Sequence, residues 1–407
     1  MEILYFGSYC EEEWSDSVIK NSGLPFKVAQ YSFEKAFING VIELKDVNMQ
    51  IYYLNQEPYY PRGTNFRYKS RSTIINEKMI LHHLSNINYP FIKELISFLQ
   101  GIGVTLRWFW KNRMIKEKVV LTPFNYTPLS LGIYLTAKLF RIKRVNIFTD
   151  LSGHILTSTR QKNMIWFKKA ILPLYYKLVQ FVENQFDGYI LFTKPMNRKV
   201  NPLGRPYIVM EGIFNNDLDL SSVTRSKAIM YAGTLSYEYG IKNILDAFNQ
   251  IEDQELELWI FGDGDMREYI EKLSLSDRRI KYFGFKPRNI VFEYEKRAQL
   301  LINARNPKDE YTHFSFPSKT FEYMVSGTPF LTTKIPCIPD EYHKYLYFVE
   351  YNNIVDLKNK MIEILNKPKQ ELEEFGDNAR RFILQNKNSL IQSKKIIEMI
   401  KCKVLTK

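Results

Sequence analysis

The 407-residue sequence predicts an α/β fold made of two doubly wound halves, each built on a parallel sheet. Short apolar runs recur along the chain, such as residues 3–7 and 145–149 in the first half and residues 229–233 and 256–262 in the second. Amphipathic helical stretches separate these runs. Continuous apolar runs of about four to eight residues are typical of strands buried on both faces, as in a parallel sheet covered by helices.

The boundary between the halves is predicted at residues 213–227, because this segment is rich in Asn, Asp and Ser and has no sustained period. We therefore expect a first domain at residues 1–212 and a second at residues 228–407. The C-terminal residues are helical in pattern. The final helix, at about residues 390–400, is expected either to stay with the second domain or to pack back on the first.

The net charge of +13 is concentrated in the first half, where residues 51–200 contain 23 basic and 7 acidic side chains. Such a bias indicates an anionic partner, which can be nucleic acid, a phosphorylated ligand or a membrane surface. No nucleic-acid-binding motif accompanies the charge, so nucleic acid is not expected. Three scattered cysteines exclude a disulfide framework and a zinc cluster, and no secretory pattern opens the sequence, so a cytosolic protein is expected.

Residues 166–182 (WFKKAILPLYYKLVQFV) combine aromatic, aliphatic and basic side chains, as helices that lie on anionic membranes do. The alternative is a packing helix with a solvated basic face. Residues 119–137 carry no charge but contain Thr, Pro, Asn and Ser, which make them too polar to cross a membrane. We expect a strand, a turn and a buried helix there.

Two glycine turns in the second half are candidate ligand sites. Gly233 and Thr234 follow an apolar run and precede a helix that begins near Gly240, and free amides at such a turn attract anions. The second turn, FGDGD, ends another apolar run and contains Gly262, Asp263 and Gly264. It is expected either to approach a nucleotide base or simply to make a tight turn.

The segment at residues 303–329 carries the strongest signal. A helix is predicted to begin around Pro317 and Ser318 and to stop at Gly327. Ser318 and Lys319 then lie where free amides and a cation together bind a diphosphate. Glu322 follows about one turn later, where a carboxylate can accept hydrogen bonds from two vicinal ribose hydroxyls.

These motifs, in the order YAGTL, FGDGD, IKYFG, INAR and FSFPSKTFEYMVSGTP, resemble the C-terminal half of retaining GT-B glycosyltransferases of family four. The first half, with GSYC, FTDLSGHI and DGYILFT, resembles bacterial polysaccharide-assembly members of that family. The resemblance implies two Rossmann-like domains that face each other across a cleft. It also implies that the C-terminal domain binds a nucleotide-sugar donor and the N-terminal domain an acceptor.

Carried over by position, Glu322 matches the second glutamate of the family's Glu–seven residues–Glu pattern, which binds the donor ribose. The first glutamate is replaced by Phe314, and the cations usual in the first glycine turn are replaced by Thr234 and Tyr239. Arg305 and Lys319 are candidate replacements for those cations and candidate catalytic residues. The resemblance assigns donor binding to the following residues: Gly233, Thr234, Gly262, Asp263, Gly264, Phe314, Ser315, Pro317, Ser318, Lys319, Thr320 and Glu322.

Further candidates lie in the first half, Asp150 and His154 as catalytic residues and Gly7, Ser8 and Arg62 as acceptor-side residues. Asp150 and His154, in TDLSGH, follow a predicted strand, where Asp150 can orient an acceptor hydroxyl and His154 can hydrogen-bond a sugar or phosphate. Gly7 and Ser8 end the first strand, and Arg62 lies in a polar loop where it can meet an acceptor phosphate. Solvated or structural roles are the alternative for His154 and Arg62.

Together these features predict a glycosyltransferase that moves a sugar, with retention, from a UDP- or GDP-sugar to a growing lipid-linked glycan in cell-surface polysaccharide synthesis. A peripheral position at the inner face of the cell membrane fits the charge. No Asp–x–Asp pair occurs in a suitable turn, so neither a metal nor another cofactor is expected. The alternatives are a transferase with a soluble acceptor and a catalytically silent GT-B-like subunit that binds a membrane or a partner.

Overall fold

The computed structural model describes residues 1–11, 13–14, 28–53, 57–63, 65–123, 127–149, 151, 177, 180–215, 218–351 and 353–406. The chain divides into two compact units. Unit 1 comprises Met1–Asn215 and Asn388–Lys407, and unit 2 comprises Asn216–Lys387.

Unit 1 is built on an eight-stranded sheet with the strand order β10-β9-β8-β7-β1-β2-β5-β4. All neighbours pair in parallel except β4, which is antiparallel to β5, and β3 and β6 form a separate antiparallel ribbon. Its elements are β1 (Glu2–Gly7), α1 (Val28–Ile42), β2 (Asn48–Tyr53), β3 (Arg67–Tyr68), β4 (Arg71–Asn76), β5 (Met79–His83), β6 (Asn86–Ile87), α2 (Ile92–Lys111), β7 (Lys118–Thr122), α3 (Pro128–Leu139), β8 (Lys143–Phe148), β9 (Gly188–Leu191), α4 (Met196–Val200) and β10 (Tyr207–Val209).

Unit 2 is built on a six-stranded, fully parallel sheet with the order β13-β12-β11-β14-β15-β16. The strands are β11 (Ala228–Ala232), β12 (Glu257–Phe261), β13 (Ile280–Gly284), β14 (Leu300–Asn303), β15 (Phe330–Thr333) and β16 (Tyr347–Val349). The helices are α5 (Ile241–Phe248), α6 (Arg267–Ser276), α7 (Arg288–Arg297), α8 (Tyr311–Phe314), α9 (Lys319–Ser326), α10 (Ile354–Leu365) and α11 (Lys369–Asn386). The apolar runs of the sequence form these strands, as their burial on both faces requires.

The two ends of unit 2 differ from the predicted domain limits of 213–227 for a linker and 228–407 for the second domain. Residues before β11 already contact unit 2, because the Lys296 ammonium donates to the carbonyls of Asp219 at 2.9 Å and Ser221 at 3.3 Å. The last helix, α12 (Ser389–Met399), packs on α1 of unit 1, where Ile396 lies in the core with Val41. The predicted alternative, in which this helix returns to the first domain, is the arrangement in the structure.

Residues 119–137 contain the predicted strand, turn and helix. Strand β7 ends at Thr122 and α3 begins at Pro128, after Thr127 accepts a hydrogen bond from the Ser130 amide at 3.3 Å. In the described part of the chain, no helix is long and apolar enough to cross a membrane. The predicted membrane-surface helix at residues 166–182 falls almost entirely outside the described residues.

Candidate functional site

The first two loops of unit 2 are joined by backbone contacts at the carboxyl ends of β11 and β12. The Leu235 amide donates to the Asp263 carbonyl at 3.0 Å. Gly262 has a positive φ of 130°, and a Cβ there would lie 1.8 Å from the Gly233 carbonyl oxygen. A Cβ at Gly264 would lie 2.4 Å from the Leu235 carbonyl oxygen. Glycine is therefore required at these two positions, because the loops are in tight contact there. Thr234 and Asp263 are exposed beside this contact.

Arg305 follows β14 with only Ala304 between them, and its guanidinium stacks over the Tyr239 ring at 4.8 Å. The loop after β11 and the loop after β14 meet closely at this point, because a Cβ at Gly240 would lie 1.8 Å from the Ala304 carbonyl oxygen. The Arg305 Nε atom is buried and has no hydrogen-bond partner. The structure thus places a cation on Tyr239, at the position where the sequence resemblance leads us to expect a lysine.

Helix α9 is fixed to the end of β11 by Tyr323. Its buried hydroxyl accepts a hydrogen bond from the Ala232 amide at 2.7 Å and lies 3.2 Å from the Ala232 carbonyl oxygen. The helix ends at Gly327, whose φ of 74° is left-handed, as the sequence predicts. Arg380 donates to the Val325 and Ser326 carbonyls at 2.9 and 2.5 Å, which satisfies the free acceptors of the last turn.

The start of α9 carries a network of two cations and two carboxylates. The Lys319 ammonium donates to Glu295 Oε1 at 3.0 Å and also to Glu322 Oε2. Arg288 Nε donates to Glu322 Oε1 at 2.8 Å. Glu295 is fully buried, whereas the side chains of Lys319 and Glu322 are 25% and 16% exposed. A ligand can therefore reach Lys319 and Glu322 but not Glu295.

The charges in this network fix the protonation states. Burial disfavours ionised Glu322, but the cations of Lys319 and Arg288 outweigh burial and lower the pKa of that carboxyl. Burial also opposes the Lys319 cation, yet the carboxylates of Glu295 and Glu322 raise its pKa. Burial raises the pKa of Glu295 to about 7, against the pull of Lys319. Near neutral pH, Glu322 is a carboxylate and Lys319 an ammonium.

The other predicted donor-binding residues around α9 differ in exposure. Ser318 precedes the helix and is exposed, and Ser315 is half-buried. The side chains of Phe314, Pro317 and Thr320 are buried, and the Thr320 hydroxyl has no hydrogen-bond partner. Because these three side chains face the protein interior, only the backbone atoms of the three residues can contact a donor in this conformation.

Sequence reasoning missed two members of the network, Arg288 and Glu295. Both lie on α7, which precedes α9 in the chain and carries none of the motifs singled out above. Glu295 is 24 residues from Lys319 and Arg288 is 34 residues from Glu322. No local pattern marks them. Glu295 and Lys296 are almost fully buried on a charged helix, but burial is not visible in the sequence.

In unit 1, Gly7 and Ser8 end β1 against a fully buried carboxylate on α1. The amides of Ser8 and Tyr9 donate to Glu34 Oε2 at 2.6 and 3.1 Å, and Gln30 donates to Glu34 Oε1 at 2.8 Å. A Cβ at Gly7 would lie 2.0 Å from the same Oε2, so the glycine makes room for the carboxylate. Burial raises the pKa of Glu34 to about 7, although these hydrogen bonds oppose the shift.

A second polar cluster lies beyond the ends of β1 and β5. Glu11 accepts from Arg71 at 2.8 Å, from Thr73 at 2.7 Å and from the His83 ring at 2.7 Å. The Arg71 guanidinium also stacks on the Trp14 ring at 4.5 Å. Burial lowers the pKa of His83, although Glu11 opposes that shift, so the imidazole is neutral near pH 7.

The remaining acceptor-side predictions have different outcomes. Arg62 is exposed, as a loop residue that meets an external phosphate must be. Asp150 and His154 lie outside the described residues. Among the residues that the structure does describe, no group of three or more His, Cys, Asp or Glu side chains is placed to hold a metal ion.

Comparison with known proteins gives one family match, and no curated protein matches the sequence. Residues 216–382, nearly all of unit 2, match the family model of glycosyl transferases group 1. This segment contains the joined loops, Arg305 and the whole Lys319 network.

Solved structures match the chain over nearly its whole length. Sucrose-phosphate synthase from Thermosynechococcus elongatus aligns with a TM-score of 0.62 at 13% identity, over 98% of this chain and 99% of its own. Alr3699/HepE from Anabaena, in complex with UDP, aligns with a TM-score of 0.60 at 13% identity, over 98% and 100%. The lipopolysaccharide outer core galactosyltransferase WaaB aligns with a TM-score of 0.55 at 13% identity, over 99% and 100%. At such low identity these likenesses show a common fold.

Proposed function

We propose that the chain is a glycosyltransferase of the group 1 type with the GT-B fold, and that it moves a sugar, with retention, from a nucleoside-diphosphate sugar to a growing lipid-linked glycan. The donor is proposed to be a UDP- or GDP-sugar. UDP is favoured by the solved complexes of HepE with UDP and with UDP-glucose.

The observation that carries this proposal is the ion network at the start of α9. Each Glu322 oxygen accepts one hydrogen bond, from Arg288 or from Lys319. A carboxylate oxygen can accept about two, so one acceptor site on each oxygen is left for a vicinal pair of ribose hydroxyls. Arg288 and Lys319 also keep Glu322 ionised, which strengthens those bonds.

The diphosphate is proposed to lie between Arg305 and the start of α9. Cleavage of the sugar–phosphate bond leaves negative charge on the diphosphate, and fixed cations stabilise that charge. Arg305 has a buried Nε without a partner, and Lys319 stays cationic next to the exposed end at Ser318. These groups supply the positive charge in this proposal, which invokes no metal ion.

Retention is proposed to occur without a protein nucleophile, with the acceptor hydroxyl attacking from the face that the diphosphate leaves. The acceptor is assigned to unit 1, through Gly7, Ser8, Arg62, Asp150 and His154. The side chain of Ser8 is fully buried, so only the backbone of that turn is offered to an acceptor. The excess of basic residues at 51–200 supports a phosphorylated lipid carrier at the inner face of a membrane.

A donor screen tests the proposal. Release of nucleoside diphosphate is followed with a panel of UDP-, GDP- and ADP-sugars, in the presence of a membrane extract as the source of acceptor. We expect turnover with one donor class. No release with any donor, together with no thermal shift by UDP, GDP or ADP, would refute nucleotide-sugar use.

Substitution of Glu322 tests the site itself. Glu322→Ala removes a charged hydrogen-bond acceptor, so donor affinity should fall about tenfold or more. Glu268→Ala, on the exposed side of α6, is the matched control and should bind the donor like the wild type. Equal affinities in the two variants would remove Glu322 from the site.

The alternative is a catalytically silent subunit that retains the fold. It is favoured by Phe314, which is buried where the resemblance leads us to expect a glutamate that touches the donor sugar. A thermal shift with a nucleoside diphosphate, but no turnover with any donor or acceptor extract, would support this alternative over the transferase.

A further inference from the structure

Helices α2 and α3 of unit 1 present a row of large apolar side chains to solvent. Leu95 and Leu99 are exposed on α2, and Leu131, Leu135 and Leu139 are exposed on α3. Within each helix these leucines are four residues apart, so each set forms one stripe. Phe91 and Ile92, at the start of α2, are exposed as well. We call these seven residues the α2–α3 face.

The two stripes lie side by side because the helices touch through glycines. A Cβ at Gly101 would lie 2.4 Å from the Leu129 carbonyl oxygen, and one at Gly132 would lie 2.3 Å from the Phe98 carbonyl oxygen. These two contacts set an antiparallel register. In that register Leu99 is level with Leu131 and Leu95 is level with Leu135, and Phe91 and Leu139 lie at the same end of the helix pair.

Packing among the described residues of unit 1 does not explain the face. The opposite sides of the same helices supply the core, where Val104 and Trp108 of α2 pack with Leu129 and Ile133 of α3. Each helix is thus apolar on its outer side as well as on its inner side. Contiguous exposed apolar surface of this kind marks an interaction site.

The segment that contains the face is strongly basic. Residues 91–143 contain nine Lys or Arg and two Glu. Arg107, Lys111 and Arg113 are exposed at the C-terminal end of α2, beside the exposed Trp110. Because the helices are antiparallel, Lys138 and Arg141, which are exposed at the end of α3, lie at the opposite end of the face.

We propose that the α2–α3 face docks on an anionic lipid bilayer, with its leucines at the acyl boundary and its cations on lipid phosphates. An apolar stripe flanked by cations and an interfacial tryptophan is suited to that environment. A second copy of this chain would bring two sets of seven net positive charges together, whereas anionic lipid neutralises them. The proposal adds a docking surface to the membrane position in the proposed function. It rests on that function only for its purpose, because docking would bring the protein to a lipid-linked acceptor.

Vesicle co-sedimentation of the full-length protein tests the docking surface. Phosphatidylcholine vesicles with phosphatidylglycerol should bind the wild type, and higher salt should weaken that binding. The double variant Leu95→Gln with Leu135→Gln should bind the same vesicles about tenfold more weakly or worse. The matched control is Leu203→Gln with Leu275→Gln, two exposed leucines that are not part of the face, and it should bind like the wild type.

A charge variant provides a second measurement that does not depend on the leucine substitutions. Lys111→Gln with Arg113→Gln should weaken binding about fivefold for each charge removed and reduce its salt dependence. Equal binding of the wild type to pure phosphatidylcholine vesicles would overturn the proposal. So would a wild-type dimer that the leucine variant dissociates and that binds no vesicles, because a second copy would then occupy the face.

The vesicle assay needs no donor, so its failure is distinct from failure of the proposed function. A wild type that sediments with anionic vesicles but uses no nucleotide sugar retains the docking surface and refutes the transferase. A wild type that turns over a donor but does not sediment with any vesicle refutes the docking surface and retains the transferase.

Discussion

Each unit contains a glutamate that is completely buried and whose pKa is raised to about 7 by burial, Glu34 in unit 1 and Glu295 in unit 2. Their surroundings differ. Glu34 accepts from neutral donors, the amides of Ser8 and Tyr9 and the side chain of Gln30. Glu295 accepts from the ammonium of Lys319, and its other oxygen has no partner.

The difference separates a structural carboxyl group from an electrostatic one. Because its hydrogen-bond donors are neutral, Glu34 holds the backbone turn after β1 whether its carboxyl group is ionised or protonated. Glu295 instead acts on Lys319, which also contacts Glu322 near the surface. Changes at Glu295 or Lys319 should therefore reach the proposed donor site, whereas changes at Glu34 should alter stability and leave donor binding unchanged.

The largest expected effect comes from Lys319→Met. This change leaves Glu295 and Glu322 close together without their shared cation, and removal of one partner from a buried ion pair costs about 4 kcal/mol. We expect the free energy of unfolding, measured with urea at pH 8, to fall by about that amount. Donor turnover should fall as well.

Lys242→Met is the matched control for Lys319→Met. Lys242 pairs with Asp246 at 2.5 Å on α5, but both side chains are about one-third exposed. Surface pairs of this kind contribute about 0.5 kcal/mol. If the two variants lost equal stability, the network at α9 would be an ordinary surface cluster and the comparison with Glu34 would have no basis.

A second expected effect concerns the pH dependence of stability. The folded-state pKa of Glu34, about 7, lies above its usual value of 4.5, so folding favours the protonated form. Its contribution to stability is greatest below pH 4.5 and is lost as the pH rises through 7. Glu34→Gln keeps a neutral acceptor that does not titrate. Between these limits, the unfolding free energy of this variant should decline by about 3 kcal/mol less than that of the wild type.

The control for Glu34→Gln is Glu43→Gln, an exposed residue just after α1. Urea unfolding across the pH range should give this control the same profile as the wild type. Donor affinity should be unchanged in Glu34→Gln. A change in donor affinity without a change in the pH profile would assign Glu34 to the ligand site and reverse its structural role.

The sequence was enough to predict the features that depend on local pattern. Buried strands such as β1 and β11 follow from apolar runs, and the limits of α9 follow from Pro317 and Gly327. Glu322 followed from its position about one turn into that helix, and the resemblance supported it. Side chains are brought together by the fold from distant parts of the chain, so the pairing of Lys319 with Glu295 left no local trace.

Exposure was a second feature that the sequence could not fix. The helix predicted as buried in residues 119–137 has an exposed stripe, because apolar residues on both sides of α3 give no sign of which side faces solvent. Thr320 is polar and adjacent to Lys319, yet its side chain is buried. Local chemistry therefore identified α9 as the site, but only the packed structure shows which of its side chains reach a ligand.

The smallest expected effect comes from Arg288→Gln, which tests whether the network orients Glu322 or only stabilises the fold. Arg288 is about one-third exposed, so its hydrogen bond to Glu322 contributes about 1 kcal/mol. If Arg288 positions Glu322 for the donor, KM for the nucleotide sugar should rise about fivefold while kcat changes little. Arg278→Gln, at an exposed site after α6, is the control and should leave both constants unchanged. If Arg288→Gln lost the same stability but kept an unchanged KM, Arg288 would have a purely structural role. The electrostatic role in unit 2 would then belong only to Lys319 and its two carboxylates.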